Sequence, residues 1–139
     1  MSPRDTTTGS VLEEMVLPAL KRGGYEYRTQ VNIGNRLGGG RHFVDAIAEK
    51  AARRWLVSMK WQQTGGTAEQ KVPFEVICLA EALSGGAYDG AYLVLGGNGW
   101  TLRDFYTGGG LKKHLADNAD KVQIVTLEDF VATANQARL

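Results

Sequence analysis

The sequence predicts an α/β sandwich built around a mixed central sheet, with helices flanking it. Three observations carry this. Apolar residues recur at helical spacing near the N-terminus, three extended segments then follow on short connections, and a second helical stretch leads into a short, wholly apolar strand. Strands joined by short turns favour antiparallel pairing, whereas a helical crossover delivers the chain to a parallel neighbour. The expected order is helix, three strands, helix, strand, then a mixed end.

Each element has a local reason. Ser10 is placed to cap a helix whose apolar positions are Val11, Leu12, Met15, Val16, Ala19 and Leu20. Pro18 falls late in that helix, where it is expected to kink it, and Gly23 with Gly24 should stop it. Residues 25–33 read as extended. They are followed by a glycine-rich loop over residues 34–41. Residues 42–48 and 55–62 read as two strands joined by a charged turn, and residues 64–67 as a loop. Pro73 is expected near the start of a helix running to Leu83, because its missing N–H costs nothing there. Residues 91–95 are apolar throughout, as in a strand buried on both faces. Residues 96–100 form a turn and residues 122–125 a last strand. Thr126 caps a final helix, with Glu128 and Asp129 in its first turn.

Composition narrows the function classes. The 139 residues are 43% apolar and fit one domain over 1–139. The 18 glycines exceed average usage, yet 3 prolines and no Gly-X-Y period exclude collagen-like sequence, so the excess belongs to turns and loops. No apolar run approaches the ~20 residues of a membrane span, and the polar Met1 to Ser10 stretch lacks a secretory signal. A soluble, cytoplasmic protein with no membrane partner is expected. One cysteine, Cys78, excludes an internal disulfide and a Cys-based zinc site; in its apolar helix it reads as inert core. With only His42 and His114, a zinc hydrolase would have to lean on carboxylates. The net charge of +1 hides an asymmetry, +4 over residues 1–60 and −3 over residues 61–139, which permits a basic face. No P-loop or dinucleotide fingerprint is present. Trp55, Trp61 and Trp100 read as core or interface residues rather than base-stacking platforms.

Residues 57–62 are the most informative. Alternation puts Ser58, Lys60 and Gln62 on one strand face, and Val57, Met59 and Trp61 on the other. Three polar side chains on an otherwise apolar strand are costly unless they line a site. On the preceding strand Asp45 stands between Val44 and Ala46. Across their short turn, Asp45 and Lys60 can approach each other. The bland alternative is a buried ion pair, which by itself is weak evidence for anything.

Asp45, followed fifteen residues later by Lys60 on the next strand, resembles the PD-(D/E)XK nuclease superfamily. The order of elements resembles it too, over about two-thirds of the chain, which implies a restriction-endonuclease-like αβββαβ core. In that superfamily the aspartate binds a divalent metal and the lysine positions or activates the attacking water. The resemblance therefore implies hydrolysis of DNA phosphodiester bonds with Mg²⁺ or Mn²⁺, held by Asp45, the Met59 carbonyl and a glutamate. Two departures stand out. Val44 replaces the motif's proline, and Ser58 replaces the acidic residue two before the lysine. Serine cannot supply the second negative charge that a hard cation wants. Some restriction enzymes similar in this respect take the glutamate from the following helix, where Glu75 is preferred and Glu69 competes. Glu69 has a structural alternative, because Thr67 and Gln70 form a capping box beside it. Glu13 borders the apolar stripe of the first helix and resembles the early glutamate of archaeal-type Holliday-junction resolvases. Gln62 shares the Lys60 face and could orient water or phosphate.

Two glycine-rich loops are candidate DNA contacts. Gly38, Gly39 and Gly40 lie between Arg36 and Arg41, where bare backbone and two charges suit phosphates. The run Gly108, Gly109 and Gly110 before Lys112, Lys113 and His114 has the same character, more weakly. The partners implied are double-stranded or branched DNA and, for symmetric cutting of two strands, a second copy of the chain in a homodimer. A catalytically silent DNA-binding or assembly module that kept the fold is the alternative.

Overall fold

The computed structural model describes residues 7–66, 68–116 and 118–139. Its five strands lie side by side in sequence order, β1 to β5. Strands β1 (Glu26–Asn35), β2 (Arg41–Lys50) and β3 (Arg53–Trp61) form an antiparallel meander. Helix α3 (Ala68–Leu83) then crosses over to β4 (Gly90–Gly96), which runs parallel to β3, and β5 (Val122–Thr126) runs parallel to β4. This is the mixed sheet expected from the order of elements. Every residue of β4 is buried, as its apolar sequence requires of a strand between two layers. On one face, α3 packs Val72, Val76, Leu79 and Leu83 against Leu56, Leu93 and Leu95. The opposite face buries Val57, Met59, Tyr92 and Val94 beneath the N-terminal helices and α5 (Leu127–Asn135). Among the described residues, no helix is long and apolar enough to cross a membrane.

The N-terminal helix departs from expectation at its start. It begins at Thr7, so Ser10 lies inside α1 (Thr7–Val11), and its hydroxyl donates to Glu14 Oε1 at 3.3 Å instead of capping the helix. A π-helical turn, Leu12–Val16, joins α1 to α2 (Leu17–Arg22). In this wider turn the Leu17 N–H donates to the Leu12 carbonyl, and Pro18 follows directly at the start of α2, so the proline does not break the run. Gly23 ends α2 beneath α5. A Cβ there would stand 2.0 Å from the Ala134 carbonyl oxygen, so only glycine permits that approach.

Pro73 lies six residues into α3, not at its beginning. Proline has no N–H for the carbonyl four residues back, which here belongs to Glu69. That carbonyl instead accepts the Tyr106 hydroxyl, 2.8 Å away, from α4 (Arg103–Thr107). A distant side chain thus replaces a lost helix bond, and the helix extends past the proline. Thr67, the expected capping partner of Gln70, lies outside the described residues. At the last helix the expectation holds: Thr126 Oγ1 accepts the Asp129 N–H at 3.1 Å. The charged turn between β2 and β3 tightens to two residues, Ala51 and Ala52, with φ of 53° and 65°.

Candidate active site

The site forms where β2 and β3 part. Their register runs from Lys50↔Arg53 to Ala46↔Val57 and stops there. Beyond it β2 keeps its pairing with β1 (Val31↔Val44), while β3 keeps its pairing with β4 as far as Trp61↔Gly96. Asp45 is the first residue of β2 past this fork. Its Oδ2 accepts the Met59 N–H at 2.7 Å, replacing the ladder bond that the parting removes.

The fork coincides with an exchange of faces. Val44 packs in the core under α3, whereas Ala46 and Ala48 pack in the opposite core, breaking the two-residue period across Asp45. On β1 the matching disturbance is Gln30, whose φ is 51°. The nearby Gln30 side chain is among the groups that draw the Asp45 carboxyl down. Asp45 therefore belongs to neither core and reaches into the gap between the strands. Burial pushes its carboxyl up; the Met59 N–H and the charge of Lys60 draw it down only in part, so its pKa is raised.

Helix α3 supplies the second carboxylate. Glu75 is 2% exposed and carries three hydrogen bonds. Its Oε1 accepts from His42 Nε2 at 2.9 Å and from the Ser58 hydroxyl at 3.3 Å, and its Oε2 accepts from Arg36 Nη1 at 2.6 Å. Burial pushes Glu75 up, but the His42 and Arg36 bonds and the nearby Lys60 charge outweigh it and hold the pKa at about 2. Glu75 also raises Asp45, as a neighbouring like charge must.

The structure thus gathers Asp45, Ser58, Lys60 and Glu75. Ser58 is buried, and Lys60 is half-buried near both carboxylates; among the described residues it forms no ion pair with Asp45. The other expected residues lie elsewhere or are otherwise engaged. Gln62, though buried, spends its amide on scaffolding: Nε2 donates to Gly99 O at 2.7 Å and Glu69 Oε1 at 3.2 Å, and Oε1 accepts the Ala68 N–H at 3.0 Å. Glu69 also receives the Thr101 and Leu102 N–H groups, so its carboxylate fastens the loop after β4. Glu13 is exposed on the π-helical turn, on the sheet face opposite α3, with no hydrogen bond to the other candidates among the described residues. Arg36 turns inward to Glu75, while Arg41 and Gly38 to Gly40 are exposed at the hairpin tip. Lys112 and Lys113 sit on a 3₁₀ turn, Leu111–His114, where Lys112 borders a shallow cleft with Leu115, Ala116 and Asp120. Cys78 is buried core, one helical turn beyond Glu75 and beside Arg36.

His42 and Gln30 were not anticipated in these positions. His42 lies three residues before Asp45, and strict alternation would place them on opposite faces. Only the exchange of faces across Asp45 brings them to one site.

Asp45 offers an oxygen of the type hard cations take. Glu75 does not in this arrangement, because both its oxygens are engaged and Arg36 already balances its charge. Among the described residues, no group of three or more His, Cys, Asp and Glu side chains stands together as a metal cage. The donor set is one carboxylate short.

A family model described as a PD-(D/E)XK nuclease superfamily domain matches residues 4–138. Among solved structures the chain is similar to a protein of unknown function, AF1548, at 14% identity and a TM-score of 0.49. That likeness covers 80% of this chain and 54% of the other, so the chain spans about half that protein's length. No curated protein matches the chain.

Proposed function

The chain belongs to the PD-(D/E)XK nuclease superfamily, and from that premise we propose that it is a divalent-metal-dependent DNA endonuclease. Nuclease-type activity, divalent metals and DNA are the general properties of this superfamily. The observation that best supports assigning them here is the strand fork, which presents Asp45 beside Lys60 with Glu75 facing them from α3.

In this reading each residue has a physical task. Lys60 is a compact cation on the half-buried rim, suited to sit beside a scissile phosphate and to stabilise charge that develops there. Asp45 is fixed in orientation by the Met59 N–H and supplies an oxygen for Mg²⁺ or Mn²⁺, which on binding would polarise the phosphoryl group and acidify a bound water. Glu75 is the carboxylate placed to stand in for the acid missing at Ser58, once one of its oxygens is freed. The exposed tip with Arg41 is suited to the sugar-phosphate backbone. The bare glycine tip suits a substrate read by backbone shape, such as branched DNA, while the Ser-X-Lys pattern suits a restriction-like substrate. Either reading calls for two copies to cut both strands.

Titrating Mg²⁺ or Mn²⁺ with supercoiled plasmid and with a four-way junction tests this reading. Cutting of one or both is expected, and is expected to vanish in Asp45→Asn and in Lys60→Ala while the chain stays folded. Cleavage that survives both substitutions would remove the assignment. DNA binding without cutting would favour the non-catalytic module, for which the fully engaged Glu75 is the supporting observation.

A further inference from the structure

The site is electrically closed. Its two carboxylates, Asp45 and Glu75, face two basic side chains, Arg36 and Lys60. A divalent cation approaching Glu75 would meet the Arg36 guanidinium, 2.6 Å from Oε2, and both would need the same oxygen. His42 and Ser58 bind the other oxygen from within the fold, on β2 and β3. They hold Glu75 from inside the sheet. Arg36 differs: it enters from outside the sheet, and its side chain keeps 29% of its surface exposed.

Arg36 also stands at the base of a bare hairpin tip. The tip is closed by Arg36 N–H to Gly40 O at 2.9 Å and Gly39 N–H to Arg36 O at 3.1 Å. Gly38, Gly39 and Gly40 all have positive φ, between 82° and 103°, and no atom lies within 4 Å of where a Cβ would stand on any of them. At these three glycines the backbone is open to a passing strand, while the Arg36–Glu75 pair ties the base of the tip to α3. A phosphate is also a bidentate partner for guanidinium, so it competes directly with a carboxylate.

We propose that Arg36 is a latch: it closes Glu75 in the free protein and is drawn off by the phosphate backbone of DNA, so that DNA and the divalent cation bind cooperatively. This rests on the reading that Asp45 and Glu75 serve one cation site. It accounts for the engagement of both Glu75 oxygens. It also makes the carboxylate pair available to metal only when a substrate backbone is present.

Binding of Mn²⁺ alone, followed by electron paramagnetic resonance on the full chain, tests the latch without reference to cleavage. The unaltered chain is expected to bind weakly and Arg36→Gln at least about tenfold more tightly, within the usual span of coupling between sites. Arg36→Gln/Glu75→Gln should lose that gain. Equal Mn²⁺ affinity in the unaltered and Arg36→Gln chains, or a gain that persists in the double variant, overturns the proposal. Should Arg36→Gln fail to fold, Lys60→Ala with the latch intact serves instead. There a short duplex should tighten Mn²⁺ binding, and Mn²⁺ should tighten duplex binding by the same factor; no mutual effect overturns the proposal. A chain that cuts plasmid yet shows neither effect loses only the latch. One that cuts nothing loses the nuclease reading, whatever Mn²⁺ does.

Discussion

The carboxylate of Asp45 takes the Met59 N–H at 2.7 Å, across the point where β2 and β3 cease to pair. A parting of strands ordinarily leaves buried N–H groups unsatisfied. Here a side chain closes the account, and the closure fixes the direction in which Asp45 presents its other oxygen. Scaffold and site are one hydrogen bond apart.

Asp45→Asn should therefore separate stability from activity. Asparagine keeps an oxygen for Met59 while removing a charge whose ionisation the folded site disfavours. A raised folded pKa means that the ionised form costs stability above that pKa, so at neutral pH the variant should melt at the same temperature or higher. Cleavage should vanish from the nicking assay, a loss of about 10²-fold or more, as when one stabilising group at a reacting centre is lost. Thermal melts with plasmid nicking check both halves; a marked drop in melting temperature would contradict the first.

Glu75 should govern acid stability with the opposite sign. Its pKa of about 2 lies below the ordinary 4.5, so its contribution is complete above about pH 5 and lost as pH falls from 4.5 towards 2. That depression corresponds to on the order of 3 kcal/mol at neutral pH. Denaturation of the unaltered chain and of Glu75→Gln should differ by such an amount at pH 7, and the two should converge near pH 2. A gap that stays constant with pH would show that the carboxylate's charge is not what stabilises.

The proline inside α3 gives a double-mutant test. Tyr106→Phe should cost about 1 kcal/mol by depriving the Glu69 carbonyl of its donor. In a Pro73→Ala background the restored backbone N–H can serve that carbonyl, so the tyrosine substitution should cost appreciably less. Urea denaturation of the four chains measures the difference. Equal costs in both backgrounds would mean that Tyr106 acts through packing alone.

Much of the fold was legible because periodicity is local. The three strands, the crossover and the capped last helix all follow from side chains within a few residues of one another, such as Thr126 and Asp129. Asp45, Ser58, Lys60 and Glu75 could be named for the same reason, since each is a polar residue in an apolar run. What stayed hidden depends on partners far along the chain. Pro73 read as a helix start because its replacement donor, Tyr106, is thirty-three residues away. The role of His42 stays hidden because the two-residue period fails at Asp45, and nothing in the letters 42–46 signals that failure. Arg36 read as a phosphate contact; its partner Glu75 lies thirty-nine positions on, at the end of a contact that only the folded sheet creates.

The bend at Gln30 matters beyond the carboxylate it lies opposite. β1 is an edge strand, ten residues long, and among the described residues one side of its backbone has no neighbour within the sheet. A straight edge of that length is a template on which another chain can add, the first step towards amyloid-like stacking. With φ at 51°, Gln30 interrupts the edge after its first four residues and leaves no long flat stretch to copy. The distortion opposite Asp45 is thus also a feature that makes the rim a poor template for another copy of the chain.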